Sequence, residues 1–549
     1  MLTANVMRFK VLCKTGAAAM GALLILVACG GGSGGGDGTS NSASIGTSKS
    51  SSTSTSASSN TSTNSSSSSQ SSVSVSTGTD TAGTAASNCD VPDPWTIPGA
   101  SNIVGTGSAA SCTEAALRAA VTAGGHVTFS CGGAEVSIPV SSAITVSKTT
   151  VIDGAGKITL DGGGTNRILD VANTQSLSVR NMRLINGKAS ASMDLTTGIG
   201  GAVAGHFRSR VEVINSTFEG NTAGRGGGAV GVNTGSTLVI VGSVFKNNTS
   251  WYGGAVYSLL SPLTVVNSTF TGNGTVTDGG LGDGGAIGTD GASEDPDDAV
   301  GGDVSICDSQ ISANTGYGNG GGAYLWVYPP DRIIIDRTTV SNNTVGANAG
   351  SNKGLGGAMR VSNGEIIIRR SSFLSNTSGA NGGALYLDCS PSCALTNSTF
   401  YKNTATSYGG AVFGDGHTDN NVTYASNSAG GHGGALFGSN YVLNNTVFVD
   451  NTSGNPWGQA MNCSSTGSGD HVAQWLTSSS GAGSDKCIAA PLALKPLLAV
   501  PADNGGPTQT MLPASGSGLL GAGSGCVSFD QRGVSRDTTK CDIGAVEIP

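Results

Sequence analysis

Few side chains in this 549-residue chain stand in spacings that permit chemistry. Asp290, Asp388 and Asp415 each lie four residues beyond the alanine of a Gly-Gly-Ala triplet, and His417 and Asp419 follow Asp415. If Asp388 and Asp415 stack in a parallel ladder they sit ~4.8 Å apart and repel by ~1–3.5 kcal/mol. Such carboxylates bind a cation, share a proton or turn into water, which makes Asp388, Asp415 and Asp419 candidate Ca²⁺ ligands. The plainer reading is that aspartate caps backbone at strand-ending turns. A second acidic stretch, Glu294-Asp295-Pro296-Asp297-Asp298, offers Asp295, Asp297 and Asp298 as oxygen ligands. Its plainer reading is a solvated insertion. Tyr324, Trp326 and Tyr328 alternate and therefore share a face. Trp326, Tyr328 and Trp251 are candidates to stack on sugars, although alternating aromatics are expected in the core. No catalytic residue is assigned, and no cofactor is required beyond the candidate Ca²⁺.

The elements that hold these residues repeat. Gly-Gly-Ala, followed by an apolar residue, ends at Ala202, Ala229, Ala255, Ala286, Ala323, Ala358, Ala384, Ala411 and Ala435. Ahead of it stands an apolar residue with Asn three positions later, as at Phe218/Asn221, Phe245/Asn248, Phe270/Asn273, Phe373/Asn376 and Phe400/Asn403. Ile311/Asn314, Val340/Asn343 and Tyr424/Asn427 follow the same rule. A repeat of roughly 24–27 residues without helical periodicity fits three short strands and three turns. That is one coil of a single-stranded right-handed parallel β-helix, an all-β fold in which like residues stack coil on coil. A propeller blade needs ~40 residues, and an antiparallel sandwich needs hairpin signals instead. Ser111-Cys112-Thr113-Glu114 reads as a capping box opening a short helix over Ala115–Val121, which would cap the N-terminal end.

The boundaries follow from composition. Residues 1–29 begin with Arg8, Lys10 and Lys14 and continue into an apolar run too short to span a bilayer, as a signal peptide does. Residues 30–88 are almost wholly Ser, Thr, Gly, Asn and Ala, and are expected to form a disordered tether. Residues 89–455 hold the β-helix, and 456–549 are expected to form a disulfide-bearing cap over its C-terminal end. The net charge is −8; leaving out the four basic and two acidic residues of the first 88 makes it −10 for the rest. No basic block appears, so nucleic acid is excluded as a partner and anionic lipid is a poor one. Of 12 cysteines, ten follow Cys29, an even number in an exported chain. Proximity pairs Cys112 with Cys131, Cys389 with Cys393, Cys463 with Cys487 and Cys526 with Cys541, and leaves Cys89 and Cys307 unassigned.

Three resemblances stand on these motifs. Leu26-Val27-Ala28-Cys29 resembles the lipobox of bacterial lipoproteins. It implies lipidation of Cys29 and, with Gly30 following, delivery to the outer membrane. Phe-x-x-Asn in phase with Gly-Gly-Ala resembles the repeats of polymorphic outer membrane proteins over about residues 181–451, which implies a pectate-lyase-like β-helix at the cell surface. The C-terminal translocator barrel of those proteins has no counterpart here. Asn504–Thr508, Asp530–Gly533 and Cys541–Glu547 resemble the choice-of-anchor Q domain, which implies surface attachment and no reaction. With the sequence ending at Pro549, attachment falls to Cys29. The expectation is a monomeric, surface-exposed outer-membrane lipoprotein that binds a polysaccharide or a cell surface without catalysis. A lyase or glycoside hydrolase of acidic polysaccharide, and a purely structural envelope stalk, are the alternatives.

Overall fold

The computed structural model describes residues 92–96, 99 and 101–549, save 277–281, 296–298, 347–352, 456–460, 482 and 484. Cys29, the tether, Cys89, Asp297 and Asp298 lie outside the described residues. The described chain winds into a parallel β-solenoid of about thirteen turns, nearly all β, with one α-helix.

Each coil supplies three strands that pair in register with their counterparts above and below. Val230–Val232 pairs with Val203–Gly205 and Val256–Leu259; Thr237–Val241 pairs with Arg210–Ile214 and Leu263–Val266. Val244–Lys246 pairs with Thr217–Glu219 and Thr269–Thr271. A fourth row of two-residue strands, from Thr249–Ser250 to Thr452–Ser453, forms a separate eight-stranded sheet. Because the pairing is parallel and in register, like side chains meet. Phe218, Phe245 and Phe270 stack inside the solenoid with ring centroids 5.0 and 4.8 Å apart, and none of the three is exposed. Burying a ring of this size contributes ~2–3 kcal/mol, and the offset stack adds to it.

The asparagines form the second spine. Asn343 Nδ2 donates to the Ile311 carbonyl of the preceding coil at 2.8 Å and to Asn376 Oδ1 of the next at 3.0 Å. Its backbone N–H donates to the same Oδ1 at 3.0 Å. The pattern repeats from Asn221 to Asn451, whose amide reaches Asn462 Oδ1. The ladder ends on a carboxylate: Asp485 Oδ2 accepts from the backbone of Asn462 and of Cys463. The glycines that precede the motif alanine are dictated by crowding. Gly227 has φ +63°, and a Cβ there would lie 2.1 Å from the Val230 carbonyl oxygen.

Three expectations change at this level. The helix runs Glu114–Ala123 and its N-cap is Thr113, whose side chain accepts from Ala116 N–H, not Ser111. Glu114 is drawn instead to Arg118 and Ser141, so no capping box closes. Secondly, Ile287 pairs with Ala323 and Ala323 with Met359, so Gly322 takes the place of the motif alanine in that coil. The repeat there is Gly320-Gly321-Gly322-Ala323. A one-residue slip in a strand exchanges its two faces. Tyr324 and Trp326 therefore face outward, while Ala323, Leu325 and Val327 fill the core.

The third change concerns the C-terminal residues. Strand pairing continues to Ser468–Asp470 and Ala473–Trp475, and Cys487 and Ile488 close the core at that end. Residues 494–547 then lie along the side of the solenoid. Met511, Leu519 and Ile543 pack with Ala425, Val447, Val449 and Ala473 in a second apolar cluster. Gln531 donates to Ser372 Oγ and Thr508 Oγ1 and accepts from Thr399 Oγ1. The fully buried Arg536 pairs with Glu547 at 2.9 Å and donates to Asn397. The motifs around Asp530 and Asp542 are thus a clasp on the solenoid's flank. Disulfides join Cys112 to Cys131, Cys389 to Cys393, Cys463 to Cys487 and Cys526 to Cys541. Cys307 is also disulfide-bonded.

Candidate functional site

Alternation along the strands that follow each Gly-Gly pair sets one residue outward next to each inward one. Parallel register aligns these outward residues in a column: Tyr257, Gly288, Tyr324, Arg360, Tyr386, Phe413 and Phe437. Two residues further along each strand runs a second column of Asp290, Trp326, Ser362 and Asp388. The turn before the glycines contributes Tyr252, Asp283 and Asn319, whose backbones hydrogen-bond in the same sequence of coils. One flank of the solenoid thus carries an aromatic and polar strip several coils long.

Ring geometry divides the strip. Tyr386, Phe413 and Phe437 stack on one another at 4.9 and 5.1 Å, and Tyr408 stacks on Phe437 at 4.7 Å. Tyr324 and Trp326 are near-parallel, 12° apart, and the Arg360 guanidinium lies 5.6 and 5.7 Å from their centroids. Arg360 also stands 5.2 Å from the Tyr386 ring and 3.5 Å from Asp388. Tyr328 donates its hydroxyl to Asp290 at 2.8 Å. Trp251 packs edge-on against Tyr252 at the turn, two coils before Trp326, and its buried indole N–H has no hydrogen-bond partner among the described residues. The three aromatics singled out by sequence thus share this flank, and Trp326 and Tyr328 are half-buried on its surface rather than in the core.

Electrostatics single out Asp283. It is 2% exposed and accepts one bond from Asn319 Nδ2 at 2.9 Å. Burial pushes its carboxyl up to about 6, opposed by Asn319 and the Arg360 charge. Burial also raises the Tyr252 and Tyr324 hydroxyls, with the neighbouring Asp283 adding to both, and lifts Tyr257 to about 12. Asp283 is absent from the residues that the sequence singled out. Its signal was the position just ahead of a Gly-Gly pair in the same coil as Asp290.

The proposed cation ligands do not converge. Pairing between the two coils stops at Tyr386 with Phe413, short of Asp388 and Asp415. Asp388 accepts from Ser362 Oγ at 2.8 Å in the preceding coil, whereas Asp415 accepts from the backbone and hydroxyl of Ser439 in the following one. Asp419 is inside the solenoid, unexposed, bonded to His417 Nδ1 and to the Tyr424 hydroxyl at 2.8 Å each. It is there because Tyr424 replaces phenylalanine in the ring stack and its hydroxyl needs a buried acceptor. No group of three metal-ligating side chains occurs among the described residues. In the acidic stretch Asp295 is described, and its neighbour Glu294 pairs with Arg208 at 2.5 Å.

Apart from this strip, a groove of about 720 Å³ lies between the C-terminal clasp and the phenylalanine strands. Its lining is mainly hydroxyl and amide groups, with Tyr401, Lys402 and Asp503.

The Chlamydia polymorphic membrane protein repeat matches residues 397–415, the span from Phe400-x-x-Asn403 through Gly409-Gly410-Ala411. No curated protein matches the chain in sequence. Among solved structures, the catalytic unit of a thermostable GH87 α-1,3-glucanase from Streptomyces thermodiastaticus strain HF3-3 is similar at 13% identity and TM-score 0.31. That similarity covers 69% of this chain and 70% of the glucanase chain.

Proposed function

We propose that this protein is a cell-surface β-solenoid, held to the outer membrane through a lipid on Cys29, that binds a polysaccharide along the Tyr324–Phe437 flank and does not cleave it. The observation that carries this reading is the outward column of Tyr324, Arg360, Tyr386 and Phe413 with Trp326 beside it. Half-buried aromatics interleaved with Arg and Asp present apolar and hydrogen-bonding surface together, which is what a sugar offers in return. The matched membrane-protein repeat supports display at the surface. The choice-of-anchor Q resemblance supports it as well, its motif residues being used to fix the clasp.

The test is an array of polysaccharides probed with the purified chain, run alongside a product assay. Saturable binding without new reducing ends or unsaturated sugars is the expected result. Product formation would replace the reading with a lyase or hydrolase; an absence of binding to every polymer would leave only a structural stalk.

A further inference from the structure

Nine cysteines of the described chain are disulfide-bonded, and the four disulfides already given use eight of them. The ninth is Cys307, at the end of the strand Asp303–Cys307. Of the twelve cysteines in the sequence, Cys13, Cys29 and Cys89 remain to bond it within the chain. Cys13 belongs to the signal peptide and Cys29 carries the lipid in the reading above, which leaves Cys89.

The residues that follow Cys89 lie on the sheet that holds Cys307. Trp95 N–H donates to Glu212 Oε1 at 3.3 Å, and its carbonyl accepts from Arg180 at 2.7 Å. The Arg210 guanidinium stands 4.2 Å from the Trp95 ring. Arg210 and Glu212 alternate with the core residues Val211 and Val213, so Trp95 sits on the outer face. Register carries that face to Cys307 in three steps, from Ile214 through Val241 and Val266. These span ~14 Å along the axis, with ~7 Å more along the strand from Glu212 to Ile214. The six residues from Cys89 to Trp95 reach ~20 Å when extended, and a disulfide spans ~5.5 Å more between Cα atoms. The bond therefore closes with Trp95 where it stands. Between the two points Val239 and Val266 face outward yet are 8% and 2% exposed, and Cys307 itself is 2% exposed, as residues beneath a covering segment are.

We infer that Cys89 and Cys307 are joined, so that residues 89–95 strap the outer face of this sheet and the tether leaves the solenoid at the coil of Cys307. This rests on the lipid-anchor reading of Cys29. The bond forms by exchange with an oxidising protein disulfide: one thiolate attacks it and the other displaces the carrier. The carrier leaves as a dithiol with the two electrons and two protons. The strapped sheet bears neither the aromatic strip nor the clasp's apolar cluster. A pull on the anchor then reaches the solenoid among its middle coils and does not peel away the segment at Trp95.

The full chain, exported with its own signal sequence and purified without reductant, is digested and mapped by mass spectrometry before and after reduction. A peptide pair joining Cys89 to Cys307 should appear, with neither thiol open to alkylation in the denatured chain. Cys89→Ser should free one thiol, at Cys307, and leave the other four disulfides as they are. Cys89→Ser and Cys307→Ser should lower the melting temperature alike, and the double variant no further, because one bond is lost in each case. Cys307 found as a free thiol in the parent, or joined to Cys307 of a second copy, overturns the strap and leaves the lipid anchor standing. Cys307 joined to Cys29 overturns both.

Discussion

A carboxylate buried beside tyrosines holds its proton to a higher pH than one in water, and Asp283 is such a group. With its folded value near 6 and an ordinary carboxylate value of ~3.9 in the unfolded chain, the folded state binds more protons between those limits. The stability that Asp283 contributes is therefore greatest below about pH 4, and is lost as pH rises through about 6. Asp283→Asn removes the titration while keeping the size of the side chain. The parent should gain more in melting temperature between pH 7 and pH 5 than this variant does. An equal gain in both would place the titration elsewhere. Single residues also explain where the sequence misleads. Gly320-Gly321-Gly322-Ala323 contains two overlapping ways to place the repeat, and the wrong one puts Tyr324 and Trp326 inside. The alternation of Leu325 with its aromatic neighbours is visible in sequence, but only pairing with Ile287 and Met359 fixes which set faces water. Asp419 is hidden for a related reason: nothing local shows that the hydroxyl of Tyr424 requires it.

At the scale of the element, the asparagine spine ties consecutive coils more tightly than strand pairing alone. Replacing Asn343 by Ala leaves the Asn314 backbone N–H and one amide proton of Asn314 without their acceptor in a dry interior. Each buried group left unsatisfied costs ~1–3 kcal/mol, so a loss of about 2–5 kcal/mol is expected. Thr344→Ala, at the exposed next position, should cost under about 0.5 kcal/mol. Denaturant midpoints of the two variants decide it, and equal midpoints would show that the ladder adds no stability. This spine and the phenylalanine stack were legible in sequence, because identical residues at a fixed period of this length mark stacked coils. The clasp was not. Gln531 meets Thr399 and Ser372 across more than 130 residues, and Arg536 meets Asn397 at similar range, with no period to announce either. Cysteine proximity indicated a compact C-terminal unit without showing which surface it covers.

For the whole molecule, the clasp and the strip occupy different faces. The clasp covers outward positions of the phenylalanine sheet, at Ala425, Val447 and Val449. The strands after the Gly-Gly pairs carry the strip, and no residue of the clasp's apolar cluster belongs to them. A solenoid tethered as proposed through its N-terminal segment, and braced along one flank, leaves its aromatic flank to meet an extended chain that runs along the axis. Consecutive coils present near-equivalent positions every ~4.8 Å, a repeat close to the length of one sugar unit. The most direct measurement is hydroxyl-radical footprinting of the full chain, free and saturated with the polysaccharide that binds best. Trp326, Tyr328 and Tyr386 should be protected, with Tyr401 of the opposite groove oxidised as before. Protection of Tyr401 with Trp326 and Tyr386 unchanged would contradict the assignment of binding to this flank.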